Sequence, residues 1–280
     1  MSTALIDGDI VIFQSAVAVQ DDLGDGPMAD PLAGVRKLDK IVEQWTPPGT
    51  DRIVFCLSPS KRRDTFRCHI SSDYKANRKS DRPVIHLDLF RYVRQEFETL
   101  EVPHLEADDV IGIAATSGQY VDPVVVSIDK DLRQIPGTHF IPTTREFLVV
   151  TPDEGDRHWR YQALVGDPVD NYPGCPRVGP KTANQILDNP RELIVEMKRI
   201  IKGKNAGTYK RTTRIGPSCD FWTSALSYWR AGSPGVPGPA LMDQMVMQFR
   251  LAKILQSQDY SRETGGIRLW HPNKTEILYL

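Results

Sequence analysis

The stretch Pro123-Val-Val-Val-Ser-Ile128 constrains this chain more than any other, because it offers no polar face and runs directly into Asp129. A half-exposed strand alternates apolar and polar side chains, whereas one without alternation is buried on both faces, as in a parallel sheet covered by helices. Ala4-Leu-Ile-Asp7 repeats the design on a smaller scale, a short buried strand ending in a carboxylate. A helix is predicted from there to about residue 19, and 21–30, rich in Gly and Asp, reads as a loop. Leu32, Val35, Leu38, Ile41, Val42 and Trp45 recur at helical spacing, 52–57 reads as a second strand, and helices are predicted over 84–100 and 107–115. Strands alternating with helices predict an α/β fold with a mostly parallel central sheet and its site at the strand C-terminal ends. Beyond about residue 151 the pattern turns helical, with helices predicted over 159–165, 181–188, 192–201, 221–229 and 241–256, and Gly- and Pro-rich connections at 203–217 and 231–239. The expected organisation is a core over 1–150 and a helical region with a C-terminal extension over 151–280.

With 280 residues, 40% of them hydrophobic, the chain can bury a sizeable core. The apolar run at the N-terminus is broken by Asp7 and Asp9 and lacks a basic leader, so no signal peptide is expected. No stretch approaches the roughly 18 apolar residues of a membrane helix. Cys56, Cys68, Cys175 and Cys219 lack CxxC spacing and read as reduced thiols of a cytoplasmic protein. The formal net charge of -1 argues against nucleic acid, but its distribution argues for it. From Lys61 to Arg82 eight basic residues face three acids, a net of +5, and from Lys198 to Arg214 there are seven basic residues and no acid. The basic stretch over 60–82 has little apolar periodicity and reads as a partly helical, mobile excursion.

Four acidic motifs carry the chemistry: Asp7-Gly8-Asp9, Glu106-Ala107-Asp108-Asp109, Asp129-Lys130-Asp131 and Gly166-Asp167-Pro168-Val169-Asp170-Asn171. A lone DxD is most often a cap or turn, and the second motif alone could be a helix N-cap. Three acids in four residues nevertheless repel one another unless a cation or a helix N-terminus offsets them. Two motifs at strand ends, one at a helix start and one in a loop are hard to explain by capping. They fit a hard divalent cation, Mg²⁺ or Mn²⁺ rather than zinc. The histidines show no metal-ligand spacing, and His69 and His104 read as structural. After the fourth motif, Gly174-Cys-Pro-Arg-Val-Gly179-Pro-Lys181-Thr182-Ala places glycines around a short turn before a helix, a device for presenting backbone N–H groups to phosphate. A Walker loop needs Gly and Lys adjacent after a strand, but Pro180 intervenes and no strand precedes.

In order along the chain, LIDGD, Phe66-Arg67, Tyr74-Lys75-Ala-Asn-Arg78, EADD, SIDKDL, GDPVDN and GCPRVGPKTA cover about residues 4–190, and LAKILQSQDY follows at 251–260. This set resembles the flap endonuclease and 5′–3′ exonuclease family, the small phage 5′–3′ exonucleases above all. The resemblance implies a PIN-like core with a helical arch at about 60–100, followed by a helix–three-turn–helix element. It implies a phosphodiesterase acting on duplex or flapped DNA, and on RNA primers in RNA–DNA hybrids, in DNA replication. It implies two divalent ions about 4 Å apart. Asp7, Glu106 and Asp108 would hold one, with Asp109 as a ligand or just behind it. Asp129, Asp131, Asp167 and Asp170 would hold the other. Lys75 and Arg78 would meet the scissile phosphate, and Arg67 and Tyr74 would orient the 5′ end. Gly174, Gly179, Lys181 and Thr182 would grip the duplex backbone, with a K⁺ at that turn. The family's acid after the second strand is missing: Ser58 or Ser60 stands there, with Asp64 able to loop back or a water to replace the ligand.

A haloacid-dehalogenase-like phosphatase would also use Asp7 as nucleophile, Asp9 as acid/base, and Asp167 with Asp170. It leaves EADD, DKD and the Tyr74–Arg78 motif without a role. A catalytically inactive DNA-structure-binding module fits the Ser58 departure but not the near-complete acid set, since unneeded buried carboxylates carry a desolvation cost. A single-strand ribonuclease of PIN type would not need the 174–183 turn.

Overall fold

The computed structural model describes residues 2–21, 28–61, 63–78, 81–272 and 276–278. β1 (Ser2–Asp7) runs up the middle of a six-stranded sheet, and α1 (Gly8–Val17) starts at its last residue. A two-residue ribbon, β2 (Gln20–Asp21) with β3 (Met28–Ala29), precedes α2 (Pro31–Trp45) and β4 (Thr50–Leu57). α3 (Phe66–Ile70), α4 (His86–Glu96), β5 (Glu98–Glu101), α5 (Ala107–Thr116) and β6 (Pro123–Val126) follow. The hairpin β7 (Gly137–Ile141) and β8 (Glu146–Val150) completes the sheet. Its order is β5-β4-β1-β6-β7-β8, parallel throughout except for β8. The chain therefore builds outward from β1 first one way and then the other. The crevice at the C-terminal ends of β1 and β6 is the switch point where open α/β sheets bind ligands.

Both faces of the sheet are covered, as the unalternating strands require. Ala4, Ile6, Phe55, Leu57, Val124 and Val126 face α1, α2 and α4 through Val11, Ile12, Leu38, Trp45, Leu89 and Val93. Leu5, Val54, Cys56 and Val125 face α5 and the late segment carrying Ile254 and Leu255. Gly8 is forced by this packing, because a Cβ there would lie 2.5 Å from Leu57 Cδ2 and 3.0 Å from the Cys56 carbonyl.

The predicted helix over 84–100 ends at Glu96 instead. Phe97 turns extended to pack on Phe55, with ring centroids 4.8 Å apart, and the next four residues join the sheet edge as β5. Only the described residues up to 83 therefore leave the sheet layers, a shorter span than an arch at about 60–100. The basic stretch is also no loose excursion, since Phe66, Arg67 and Tyr74 are buried.

After the sheet come α6 (Pro152–Val165) and α7 (Pro180–Asp188), then β9 (Arg191–Arg199), β10 (Tyr209–Ser218), α8 (Phe221–Gly232) and α9 (Gly238–Ala252). A short pair, β11 (Ile267–Leu269) and β12 (Glu276–Leu278), ends the described chain. The four helices share a core of Trp159, Ala163, Trp229, Met245 and Phe249, which also takes in Tyr74. The helix predicted over 192–201 is instead the first arm of an antiparallel ribbon, Leu193 opposite Ile215 and Val195 opposite Thr213, so 203–217 is mostly the turn and second arm. Leu193, Val195 and Met197 alternate with polar neighbours only in part, and the helical reading ignored the β-branched Thr212-Thr213 on the returning arm. Among the described residues, no helix is long and apolar enough to cross a membrane.

Candidate metal centre

Three strand or helix ends deliver the acids. Asp7 closes β1 and caps α1, accepting from Ile10 N at 3.3 Å and from Ser127 Oγ at 3.0 Å. Asp129 lies three residues past β6 and accepts from Asp131 N at 2.8 Å, so the Asp129-Lys-Asp131 turn is preset by its own carboxylate. Glu106 caps α5, and Asp108 and Asp109 occupy its first turn. Asp167 and Asp170 sit in the α6–α7 connection. Gly166 and Gly174, both at positive φ, press backbone against backbone there, while Asp167 and Tyr172 exchange N–H···O bonds of 2.8 and 3.1 Å. A Cβ on Gly166 would meet the Pro173 carbonyl carbon at 2.4 Å, so this closure needs glycine.

The Tyr74–Arg78 segment is knitted onto this loop. Lys75 N donates to Asp170 O at 2.9 Å, Asn77 Nδ2 to Pro168 O at 2.8 Å, and Asn171 Nδ2 to Asp73 O at 2.7 Å. The Tyr74 hydroxyl lies 2.8 Å from Asp170 Oδ2 and 2.9 Å from Glu106 Oε2, so its single proton is shared between the two acids. Lys75, held at a φ of 52°, places its ammonium on Glu106 Oε1 and 3.5 Å from Asp170 Oδ2. The Arg78 guanidinium reaches Asp170 Oδ1 at 2.5 Å and stays 48% exposed.

The electrostatics divide the acids. Burial, then the charge of Asp9, push Asp7 up to about 7 against the bonds from Ile10 and Ser127. Burial, then Asp7 and Asp129, push Asp108 well above the usual carboxylate range. Burial, then Asp129, Asp167 and Asp170, push Asp131 up to about 7. Glu106 goes the other way: burial raises it, but Lys75 and Arg67, with hydrogen bonds from Lys75 and Tyr74, hold it at about 2. One group of interacting acids is Asp7, Asp9, Glu106 and Asp108; another is Asp131, Asp167 and Asp170; Asp129 acts on both. Crowded, oxygen-only and partly protonated at neutral pH, this donor set fits divalent cations. Among the described residues, no three of these acids bring ligand oxygens within 4.8 Å of one another, as expected of like charges that repel.

Several residues take places other than those expected. Arg67 is 3% exposed and touches no open surface. It binds Asp109 through both Nη atoms at 2.6 and 2.8 Å, Glu106 Oε2 at 2.9 Å, and the carbonyls of Leu251 and Lys253 at 2.9 and 2.5 Å. Asp109 is fully buried and also accepts from Leu255 N at 3.0 Å, so its oxygens hold the scaffold together. Tyr74, 2% exposed, likewise orients acids rather than facing the cleft. Gly174 gives its N–H to Gln248 Oε1 at 2.9 Å inside the helical core, while Gly179 and Lys181 are exposed and Thr182 half-buried at the start of α7. At the corner lacking an acid, Ser58 Oγ accepts from Ala107 N at 2.9 Å, and Ser58 N donates to Asp9 Oδ1 at 3.2 Å. Asp9, in the first turn of α1 just past the neighbouring strand β1, therefore occupies this corner; Asp64 turns away to His104 Nδ1 at 3.1 Å. The DxD spacing of Asp7 and Asp9, together with the register that pairs Asp7 with Cys56 two residues before Ser58, is the signal that finds it.

Carboxylates gathered at the switch point of a parallel sheet, with Lys75 and Arg78 beside them, define the class as metal-dependent phosphoryl-transfer enzymes. Residues 2–158 match the family described as 5'-3' exonuclease, N-terminal resolvase-like domain. The chain belongs to this family of nucleases, and the phosphatase alternative falls away. It is 31% identical to the exodeoxyribonuclease of Enterobacteria phage T3 over 215 residues, 72% of this chain and 68% of that one. It is 30% identical to the exonuclease of Escherichia phage T7 over 217 residues, 72% of this chain and 69% of that one. A structure of the T5 D15 protein co-crystallised with metal ions aligns over 68% of this chain and 76% of its own, with 18% identity and a TM-score of 0.49.

Two outcomes follow from the burial and charge of the centre. Arg67→Met leaves Asp109 and Glu106 without their guanidinium, and urea unfolding is expected to show a loss of about 3–5 kcal/mol. Unchanged stability with weakened DNA binding would return Arg67 to the role of a 5′-end contact. Asp7 and Asp131, raised to about 7, are favourable to the fold as neutral acids and lose that contribution as pH rises from about 4 through 7. Added Mg²⁺ must displace those protons below pH 7 and finds them gone above it. The Mg²⁺-induced rise in Tm is therefore expected to be larger at pH 8 than at pH 6, and a gain independent of pH would contradict the raised values.

Proposed function

We propose that the chain releases nucleotides from the 5′ end of duplex DNA, cleaves flaps, and removes RNA primers paired to DNA, using two Mg²⁺ or Mn²⁺ ions. The observation that carries this reading is the gathering of Asp7, Glu106, Asp108, Asp129, Asp131, Asp167 and Asp170 into two mutually interacting groups beside the ends of β1 and β6, with Lys75 between Glu106 and Asp170. Asp7, Asp9, Glu106 and Asp108 would hold one ion and Asp131, Asp167 and Asp170 the other, with Asp129 between them. Bound there, such ions supply the charge that activates water and offsets the leaving oxygen. Lys75 keeps a proton in the buried centre, because Glu106 and Asp170 outweigh the burial that would remove it. That cation beside the acids is placed to meet the scissile phosphate, and half-exposed Arg78 to clamp it. Asp7, Asp108 and Asp129 are the acids whose loss the reaction would feel most. Tyr74 and Arg67 fix Glu106 and Asp170 from behind.

Duplex grip falls to the start of α7, where Gly179, Lys181 and Thr182 present a helix N-terminus to the backbone, and a K⁺ at the 174–183 turn belongs to the same proposal. The β9–β10 ribbon extends that surface. Near its turn the ribbon is anchored by Arg211 to the carbonyls of Arg230 and Ala231 at 3.0 and 2.7 Å, next to Gly232, which packs on Pro176 of the 174–183 turn. Its end carries Lys198, Arg199, Lys202, Lys204 and Lys210, all exposed.

With Mg²⁺ and 5′-labelled duplex, the wild-type chain is expected to release labelled nucleotides from the 5′ end. Failure to cut any duplex, flap or hybrid would remove the enzyme reading. Asp129→Ala is expected to abolish cleavage while retaining duplex binding in Ca²⁺, and Lys75→Ala to lower kcat more than affinity. Replacing Lys202 and Lys204 by Gln is expected to weaken duplex binding and flatten its log–log salt dependence by roughly 0.9 per lost phosphate contact. An unaltered salt slope would take the ribbon off the DNA.

A further inference from the structure

A second cluster of metal-ligand chemistry lies outside the acid centre and has no part in the reaction proposed above. Asp64, His69 and His104 are scattered along the sequence, yet one ligand atom from each falls within 4.8 Å of the other two. His104 Nδ1 is 3.1 Å from Asp64 Oδ1, and the His69 ring stands edge-on to His104 at 83°, with centroids 6.0 Å apart. Three elements hold the trio. Asp64 precedes α3, His69 is in its last turn, and His104 sits in the turn between β5 and α5. The two chain segments are already joined, because Phe66 N donates to His104 O at 2.8 Å, and buried Phe66 and Leu105 anchor each side. His104 itself is held at a φ of 61°, a conformation the surrounding packing must enforce. Positions 67 and 69 of a helix point about 200° apart, so His69 faces away from the Arg67–Glu106–Asp109 network.

We propose that Asp64, His69 and His104 form a zinc site separate from the catalytic acids. Two imidazoles and a carboxylate are a borderline-soft donor set that selects Zn²⁺ over Mg²⁺, with a fourth position open to water. The side chains of Asp64 and His104 are 39% and 30% exposed, which gives an ion a path of entry. Tetrahedral ligands near 2.0–2.1 Å from zinc stand about 3.3 Å apart, so an ion draws the three together without moving the backbone they sit on. Its consequence is mechanical. One side leads through Arg67 to Tyr74, Lys75 and Arg78; the other leads in two residues to Glu106. A bound ion pins the segment that carries the cations to the segment that carries the acids.

The test uses the full chain in saturating Mg²⁺, which occupies the catalytic acids, titrated with Zn²⁺ by calorimetry and with Co²⁺ as an absorbing substitute. A single equivalent of Zn²⁺ is expected to bind despite the Mg²⁺, and Co²⁺ to show tetrahedral d–d bands. His69→Ala and His104→Gln should each weaken Zn²⁺ binding more than about 10-fold, since losing even an outer-shell partner of a ligand costs that much. Asp131→Ala, in the acid centre, should leave it unchanged. His69 is exposed, so an unaltered metal-free Tm for His69→Ala confirms that the variant is folded and its binding loss interpretable. Zinc binding that disappears in Mg²⁺, that follows Asp131→Ala, or that survives both histidine substitutions would overturn the proposal. This result is independent of the nuclease assay, since a chain that cuts DNA normally could fail it, and an inactive one could pass.

Discussion

A guanidinium with almost no solvent contact ties together three parts of the chain that are far apart in sequence. Arg67 fills its fork with Asp109, adds Glu106, and spends its remaining donors on two carbonyls at the C-terminal end of α9. Taking any one of these charges out of water alone would cost several kcal/mol, so each is tolerable only in the presence of the others. Asp109 neutralises Arg67, Leu255 N–H neutralises what remains of Asp109, and the late segment around 251–255 is thereby laid across the back of α5. The front of α5 is then fixed in space. Glu106 and Asp108 are aimed by this buried network rather than by the cleft they face.

The cleft itself is built against its own electrostatics. Parallel strands converge their C-terminal ends on one crevice, and this chain puts carboxylates just at or beyond the ends of β1 and β6, as Asp7 and Asp129. Burial and repulsion raise Asp7, Asp108 and Asp131, while Glu106, touched by Lys75 and Arg67, is held at about 2. The same carboxyl type thus exists in two states within one site, set by which of them a lysine or arginine can reach.

Much of the site could be read from the residues because strand ends and helix starts are local features. Unalternating 123–126 reads as a buried strand of a parallel sheet, and Asp7 and Asp129 read as carboxylates just past or at strand C-terminal ends. What was not legible depended on contacts with no local signature. Arg67 looks like any other member of a basic run, and only the fold shows that it is buried. Asp9 belongs to the first acidic motif, but its place beside Ser58 follows only from the parallel register of β1 on β4. β9 carries a helix-like signal, because Leu193, Ile194 and Ile200 also fit a helical spacing. Its partner strand, needed to decide, lies beyond a Gly-containing turn.

The interlock of 73–78 with 167–171 couples the two halves of the centre. Lys75 and Asp170 are joined twice, backbone N–H to carbonyl and ammonium to carboxylate, and Tyr74 bridges Asp170 to Glu106. The charges of Lys75 and Arg78 offset Asp170, and Lys75 shares Glu106 with Arg67. Any ion that takes over that task releases both side chains toward an incoming phosphate. A phosphate that draws Lys75 and Arg78 away in turn leaves Asp170 and Glu106 more strongly attractive to ions. Cation loading and substrate binding then favour each other to the same extent, as linkage requires. The physical carrier of that coupling is one lysine held in a left-handed backbone conformation between two acids.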